Sequence, residues 1–316
     1  MYNSFLSFVS VIHTPWEARK LPDLLLAIHP ILKEHFSDFE IILVNNGVTS
    51  PIASLIEPLD SDLKHHIFLL NLSSRTDKNH ATVAGLDRSN GDYTLLFDVE
   101  LYEHPEYILQ LFEKSRAHFD IVYLRSKERN VSIRYRPFYS IFYYIIRHYS
   151  NLEIDENAHN TRIISRRALN SLLRLRENLR YMKAIYSMVG YQTSYLEVDI
   201  PLPPIEDNFS DRFKTSLVAI TSFTTFLRSL LLWIFIFSFL FLLGVIFNAL
   251  KVKFTGIDVF GNHGDPWSGW TFLVILISVF FAITCLNLYI MSIYLSNIYN
   301  EIKHRPLYII ESIKRF

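Results

Sequence analysis

Along the first 125 residues the chain alternates between two kinds of hydrophobic pattern. Short, nearly continuous apolar runs, SFVSVI, EIILVNN, IFLLNL, YTLLFDVE and DIVYL, read as strands buried on both faces. Between them lie longer amphipathic stretches, LPDLLLAIHPILKEHF, the segment near ATVAGLDRS, and PEYILQLFEKSRAHF, which read as helices. Strands alternating with helices predict an α/β domain with a mostly parallel sheet and helices on both faces. Ligands of such sheets sit at the carboxyl ends of the strands. The polar clusters at those ends are His13 to Glu17, Asn45 to Thr49 and Asp98 to Glu100. The run from Phe5 to Ile12 is too short for a signal peptide and lacks its basic start and cleavage site, so it reads as a buried first strand.

The pattern changes after residue 228. No charge interrupts Ser229 to Leu250, and the stretch LLLWIFIFSFLFLLGVIF is apolar on every face, as a bilayer-crossing helix of about 20 residues requires. A second charge-free stretch, Pro266 to Asn300, is longer than one crossing and predicts a helix that tilts or projects beyond the bilayer. The expected organisation is a cytoplasmic domain over 1–204, an interfacial helix over 205–228, spans over 229–250 and 267–297 joined by an external loop over 251–266, and a cytoplasmic tail over 298–316. Arg212, Lys214 and Arg228 before the first span, and Lys303, His304, Arg305, Lys314 and Arg315 after the second, place both ends in the cytoplasm. Lys251 and Lys253 weaken that asymmetry without reversing it. IRYRPFYSIFYYIIRHY, from Ile133 to Tyr149, combines arginines with a dense aromatic face and reads either as a helix in the membrane interface or as an ordinary core helix. FKTSLVAITSFTTFL suggests a second interfacial helix leading into the first span.

Composition narrows the function classes. Thirty-one basic residues balance 31 acidic ones, so no global field would hold nucleic acid, and any anionic partner must be met locally. The single cysteine, Cys285, excludes a disulfide framework and a cysteine metal site, and fits a reducing compartment. With nine glycines, neither a P-loop nor a dinucleotide-binding fingerprint is present. Two spans without internal charge offer no ion path, which speaks against a transporter or channel.

The strongest chemical signal is LLFDVELYEHPEYI, an apolar strand that ends in Asp98-Val99-Glu100. Acidic residues at i and i+2 of a strand end can place oxygens around a hard divalent ion that in turn binds a diphosphate. This segment belongs to an ordered series. EIILVNNG stands for a strand ending in an acidic pair and glycine; Lys78 with AxxAGLDRSNGDY for K-E-x-x-x-x-A-G-x-x-x-A-x-G-D; DVELYEHPE for D-A-D-L-Q-D-P-P-E. DIVYLRSKER, NAHNTRIISRRAL, MVGYQ and, after the second span, YLSNIYNEIKHRPLYII follow. In order and spacing the chain resembles the family-two glycosyltransferases of the polyprenyl-phosphate type, the group containing dolichyl-phosphate mannose synthase and the bactoprenol glucosyltransferases.

That resemblance implies a GT-A fold that transfers a sugar, with inversion, from a nucleotide diphosphate sugar to a polyprenyl phosphate at the cytoplasmic membrane, supplying lipid-linked sugar for the cell envelope. It implies Asp98 and Glu100 as ligands of Mg²⁺ or Mn²⁺, and Glu17, Asn45, Asn46, Lys78 and Asp98 around the nucleotide sugar. Asp98, His159, Asn160 and Arg162 become the catalytic candidates, with Arg162 facing phosphate oxygens. Lys127, Arg129 and Arg136 become candidates for the lipid phosphate, and a homo-oligomer formed through the C-terminal helices follows by analogy. The departures fall at the chemistry. His13-Thr14-Pro15-Trp16-Glu17 replaces P-x-Y-N-E, and Asn45-Asn46 replaces the acidic pair, leaving amides that can hydrogen-bond a uracil but carry no charge. His159-Asn160-Thr161 stands where the family has a carboxylate before its arginine, and an amide is no general base. The lysine of the family's S-K-Y is missing near Ile205-Glu206-Asp207. Two readings remain: a transferase whose ionised acceptor needs no protein base, or a diverged non-catalytic paralogue that binds lipid or a partner subunit.

Overall fold

The computed structural model describes the chain except residues 128–135, 151, 176–181, 202–215, 218, 258, 260, 262–268 and 304. Strands β1 (Tyr2–Ile12), β2 (Phe36–Asn45), β3 (Ile67–Leu72), β4 (Tyr93–Leu96), β5 (Ile121–Ser126), β6 (Ala158–Ser165), β7 (Thr193–Val198) and β8 (Ile310–Arg315) form one sheet in the order β7-β5-β6-β4-β1-β2-β3-β8. β1 pairs parallel with β2 and β4, β2 with β3, and β5 with β7. β6 runs antiparallel between β4 and β5, so its first residues come to the edge where β1 to β5 and β7 end. That edge therefore gathers the ends of six strands and the starts of β6 and β8, which is why residues far apart in sequence meet there.

Helices α1 (Pro15–His35), α2 (Ile52–Ile56), α3 (Ser61–Lys64), α4 (Lys78–Arg88), α5 (Tyr107–Arg116), α6 (Arg136–Tyr149), α7 (Arg166–Arg174) and α8 (Met182–Met188) cover the sheet. Alternate residues of β1 serve its two faces, as strand pleating requires. Leu6 and Phe8 join Leu21, Leu25 and Ile28 of α1 and Phe112 of α5, whereas Val9 and Val11 meet Ala81 and Ala84 of α4. Gly85 lets α4 seat closely, because a Cβ there would lie 2.4 Å from Cγ1 of Val9 and 3.1 Å from Cγ2 of Val44.

Two long helices follow, α9 (Phe226–Thr255) and α10 (Gly269–Ile302). The windows Phe226–Val252 and Leu273–Ile302 are long and apolar enough to cross a bilayer. Side chains such as Phe237 and Phe281 are exposed. Residues 216–217 and 219–223 are helical and end at Thr224, so part of the predicted juxtamembrane helix is present, and its earlier residues lie outside those described. α6 joins both readings of the aromatic helix: Tyr143, Ile145 and Ile146 are buried, while Phe138, Ile141 and Tyr144 form an exposed apolar face. Its last residue, Tyr149, accepts a hydrogen bond from Thr225 N–H (2.9 Å) and packs edge-on against Phe226 (5.1 Å), which fixes α6 beside the start of α9. The chain after α10 returns to the sheet, where β8 runs antiparallel to β3, and Tyr308 donates to Asp87 of α4 (2.6 Å).

Candidate active site

Thr14 opens α1 with a reciprocal cap. Its hydroxyl accepts from Glu17 N–H (3.2 Å), and the Glu17 carboxylate accepts from the N–H groups of His13 (2.6 Å) and Thr14 (2.8 Å). This cap buries Glu17 and aims its other oxygen at the Lys78 ammonium, 3.7 Å away. Lys78, at the start of α4, lies 3.2 Å from Oδ1 of Asp98. Asp98 above all, and Glu17 after it, raise the Lys78 pKa, against burial that acts the other way. Asp98 itself is positioned from β6, since its N–H donates to the hydroxyl of the fully buried Thr161 (3.0 Å). Glu100 follows in the 3₁₀ turn Val99–Leu101, with its side chain exposed.

At the end of β2 the two asparagines bind the protein itself. Asn45 donates to Oδ1 of Asn71 (3.0 Å) and accepts from Val48 N–H (3.0 Å). Asn46 is fully buried; its carbonyl accepts from Thr76 N–H (2.8 Å) and its amide group donates to Thr76 O (2.9 Å), with Nδ1 of His13 at 2.7 Å. Gly47, at φ +71°, lets the loop after β3 press in, because a Cβ there would lie 2.8 Å from Cβ of Arg75. Nη2 of Arg75 reaches Nε2 of His13 at 2.8 Å. Burial first, and the Arg75 cation second, push the His13 pKa down.

β6 brings His159, Asn160 and Arg162 to the same edge. Asn160 is exposed. His159 is buried, with Nε2 at 3.3 Å from Ile200 O, and burial lowers its pKa. Arg162 is buried too: Nε donates to Asn160 O (2.9 Å), Nη2 donates to His159 O (2.7 Å), and the guanidinium lies 3.7 Å over the Tyr186 ring. Arg162 also lines a cavity of about 870 Å³ between β5, β6, β7, α6 and α8, whose walls include Tyr123, Arg125, Lys183 and Tyr195.

Residues 17–173 match glycosyl transferase family 2. The bactoprenol glucosyl transferase of Shigella phage SfV is 30% identical over 285 residues, which cover 88% of this chain and 89% of that protein. The chain belongs to glycosyl transferase family 2. An uncharacterised glycosyltransferase of Synechocystis is 28% identical over 284 residues, covering 87% of this chain and 85% of that one. A mannosyltransferase of Pyrobaculum calidifontis, in complex with GDP-Man and Mn²⁺, covers 69% of this chain and 61% of its own at 14% identity, with a TM-score of 0.45. The protein is thus a glycosyltransferase, with an α/β domain followed by two long apolar helices.

In the glycosyltransferase Glu17, Lys78, Asp98, Asn160 and Arg162 lie at one sheet edge. Asn46 lies behind His13 rather than on the surface. Lys127 is held at 2.7 Å by Asp199, Arg136 is exposed at the start of α6, and Arg129 lies outside the described residues. Thr161, Thr76, Arg75 and Tyr186 were not foreseen. Each acts through a partner at least 24 residues away or on a neighbouring strand, which periodicity cannot reveal.

Proposed function

We propose that this glycosyltransferase moves a sugar from a nucleotide diphosphate sugar to the phosphate of a polyprenol, at the cytoplasmic face of a membrane that α9 and α10 cross as a hairpin. The observation that carries this reading is the adjacency of two unlike surfaces. The charged sheet edge of Asp98, Lys78 and Arg162 serves a water-soluble anionic donor, and α6, with its exposed apolar face, is bonded to the start of α9. The bactoprenol glucosyl transferase relatives support the same acceptor class. The return of the tail to the sheet supports a common side for both ends of the chain.

Asp98 and Glu100 are the residues that would hold Mg²⁺ or Mn²⁺. Among the described residues no group of three or more His, Cys, Asp or Glu forms a metal cage. Two carboxylates fit an ion that arrives with the donor and takes its remaining ligands from phosphate and water. When bound, such an ion offsets charge on the leaving diphosphate. Lys78 balances Asp98 and Glu17 in the same place, and Arg162, with two of its nitrogens tied to backbone carbonyls, presents a pre-oriented cation to phosphate oxygens. In the reaction an acceptor phosphate oxygen bonds to the anomeric carbon as the bond to the diphosphate breaks. The acceptor oxygen is already ionised, so Asn160 in place of a carboxylate does not obstruct the step.

The test incubates the purified full chain with polyprenyl phosphate, Mn²⁺ or Mg²⁺ and a panel of radiolabelled nucleotide sugars. One labelled, chloroform-soluble product is expected. No product from any donor would favour the non-catalytic reading instead.

A further inference from the structure

The segment YLSNIYNEIKHRPLYII leads from α10 into β8, and β8 adds little to the core. Glu311 to Arg315 are all exposed, so burial of apolar surface does not explain why the chain returns to β3. What the tail supplies is polar contact around the connection from β3 to α4. Ser73 N–H, just after β3, donates to Ile309 O (2.9 Å), and Tyr308 donates to Asp87 on α4 (2.6 Å). Two neighbouring tail residues thus hold the start of residues 73–77 and the helix that those residues enter. That helix begins with Lys78, the cation facing Asp98.

A second connection crosses the strands. Asn71 stands opposite Asn45 of β2 on one side and Ser312 of β8 on the other. Its Nδ2 donates to the Ser312 hydroxyl (3.0 Å), its carbonyl accepts from Asn45 Nδ2 (3.0 Å), and the Asn45 carbonyl accepts from Val48 N–H (3.0 Å). The backbone N–H of Val48 can only donate, which turns the Asn45 carbonyl toward it and fixes the sense of the whole row. Val48 belongs to the loop that carries Asn46, and Asn46 holds Thr76, two residues before Lys78. Both connections therefore end on the residues that set Lys78 at the charged edge. We infer that Asn71 and Ser312 are positioning residues for donor binding, through which the tail following α10 holds the 46–48 loop and the Lys78 segment in the shape that receives the diphosphate. This rests on the proposed function for the role of that edge. Asn45 then serves the donor indirectly, through Val48, with its amide committed to the protein.

Calorimetry on the full chain in detergent, with Mn²⁺ and UDP, GDP or ADP as probes, tests this directly. Asn71→Ala and Ser312→Ala should each weaken the tightest-binding of the three by about three- to tenfold, as the loss of one net hydrogen bond gives. The double variant should bind within about twofold of Asn71→Ala alone, because both residues act through one row. Ser312→Thr keeps the hydroxyl in a residue suited to a strand and should stay within about twofold of the parent. Ser312 is exposed, so both of its variants should fold, and melting curves check that they do. Parent-like affinity in Ser312→Ala overturns the inference while leaving the donor reading intact, and a lowered melting temperature without weaker binding confines the row to stability and overturns it as well. Losses that multiply in the double variant also overturn it, since the two residues then act separately. A parent that binds none of the three removes the donor reading and this inference with it.

Discussion

Asp98 is the residue on which the donor side turns, because it faces Lys78 at 3.2 Å and begins the Asp98-Val99-Glu100 run that follows β4. A diphosphate approaching Asp98 and Glu100 is repelled unless an ion intervenes. Asp98→Asn with Glu100→Gln should therefore abolish Mn²⁺-dependent nucleoside diphosphate binding in calorimetry, and retained Mn²⁺ dependence would remove these carboxylates from the metal. The motif around Asp98 was legible in sequence because a strand end and its turn are local. The partners that orient it, Thr161 on β6 and Lys78 on α4, depend on strand order instead, and so does the burial of Asn46. His13 and His159 add a pH effect. Burial lowers both pKa values in the fold, so both are held neutral and their contribution is present above the ordinary histidine value of about 6.5. It is lost as pH falls below that value, since the unfolded chain then binds more protons. The fall in melting temperature from pH 7.5 to 5.5 should be shallower in His159→Asn than in the parent, and an identical slope would exclude His159 as a source.

Among the elements, α4 carries two constraints that the apolar pattern alone does not express. Gly85 was visible only as part of a motif, yet it lets α4, which begins at Lys78, lie close against β1 and β2. A methyl group there meets Val9 and Val44, two β-branched side chains with little room to turn, so Gly85→Ala should destabilise the protein by about 1–3 kcal/mol in denaturant titration. The far end of α4 is tied to the tail through Asp87 and Tyr308, and Tyr308→Phe should cost about 1 kcal/mol in the same measurement. β8 itself was not legible. Its residues, IESIKR, are mostly polar, and only the unpaired edge of β3 makes a strand of them. A chain ending before β8 would leave that edge open to other chains, the usual hazard of an exposed strand.

At the scale of the whole molecule, the tail gives the topology a support that does not depend on counting charges. β8 and β1 belong to one sheet, and α9 and α10 lie between them in the chain, so a hairpin returns the tail to the side from which it left. At about 1.5 Å per residue the 30 residues of α9 and the 34 of α10 span about 45 and 50 Å, so in the proposed hairpin both would extend beyond a ~30 Å hydrocarbon core. Asn297 near the end of α10 donates to Thr221 (2.7 Å), which sets the exit of the second helix beside the entrance of the first. Basic residues cluster at that same end, where Arg228, Lys303 and Arg305 lie close in sequence to the helix termini, the charge bias on which the proposed cytoplasmic orientation rests. In a background with Cys285→Ser, Asn262→Cys in the loop between the helices should react with an impermeant maleimide in intact cells, while a cysteine appended after Phe316 should react only after lysis. Labelling of the appended cysteine in intact cells, with protection of the loop, would invert the orientation. Labelling of both would be incompatible with a hairpin and with the pairing of β8 to β3.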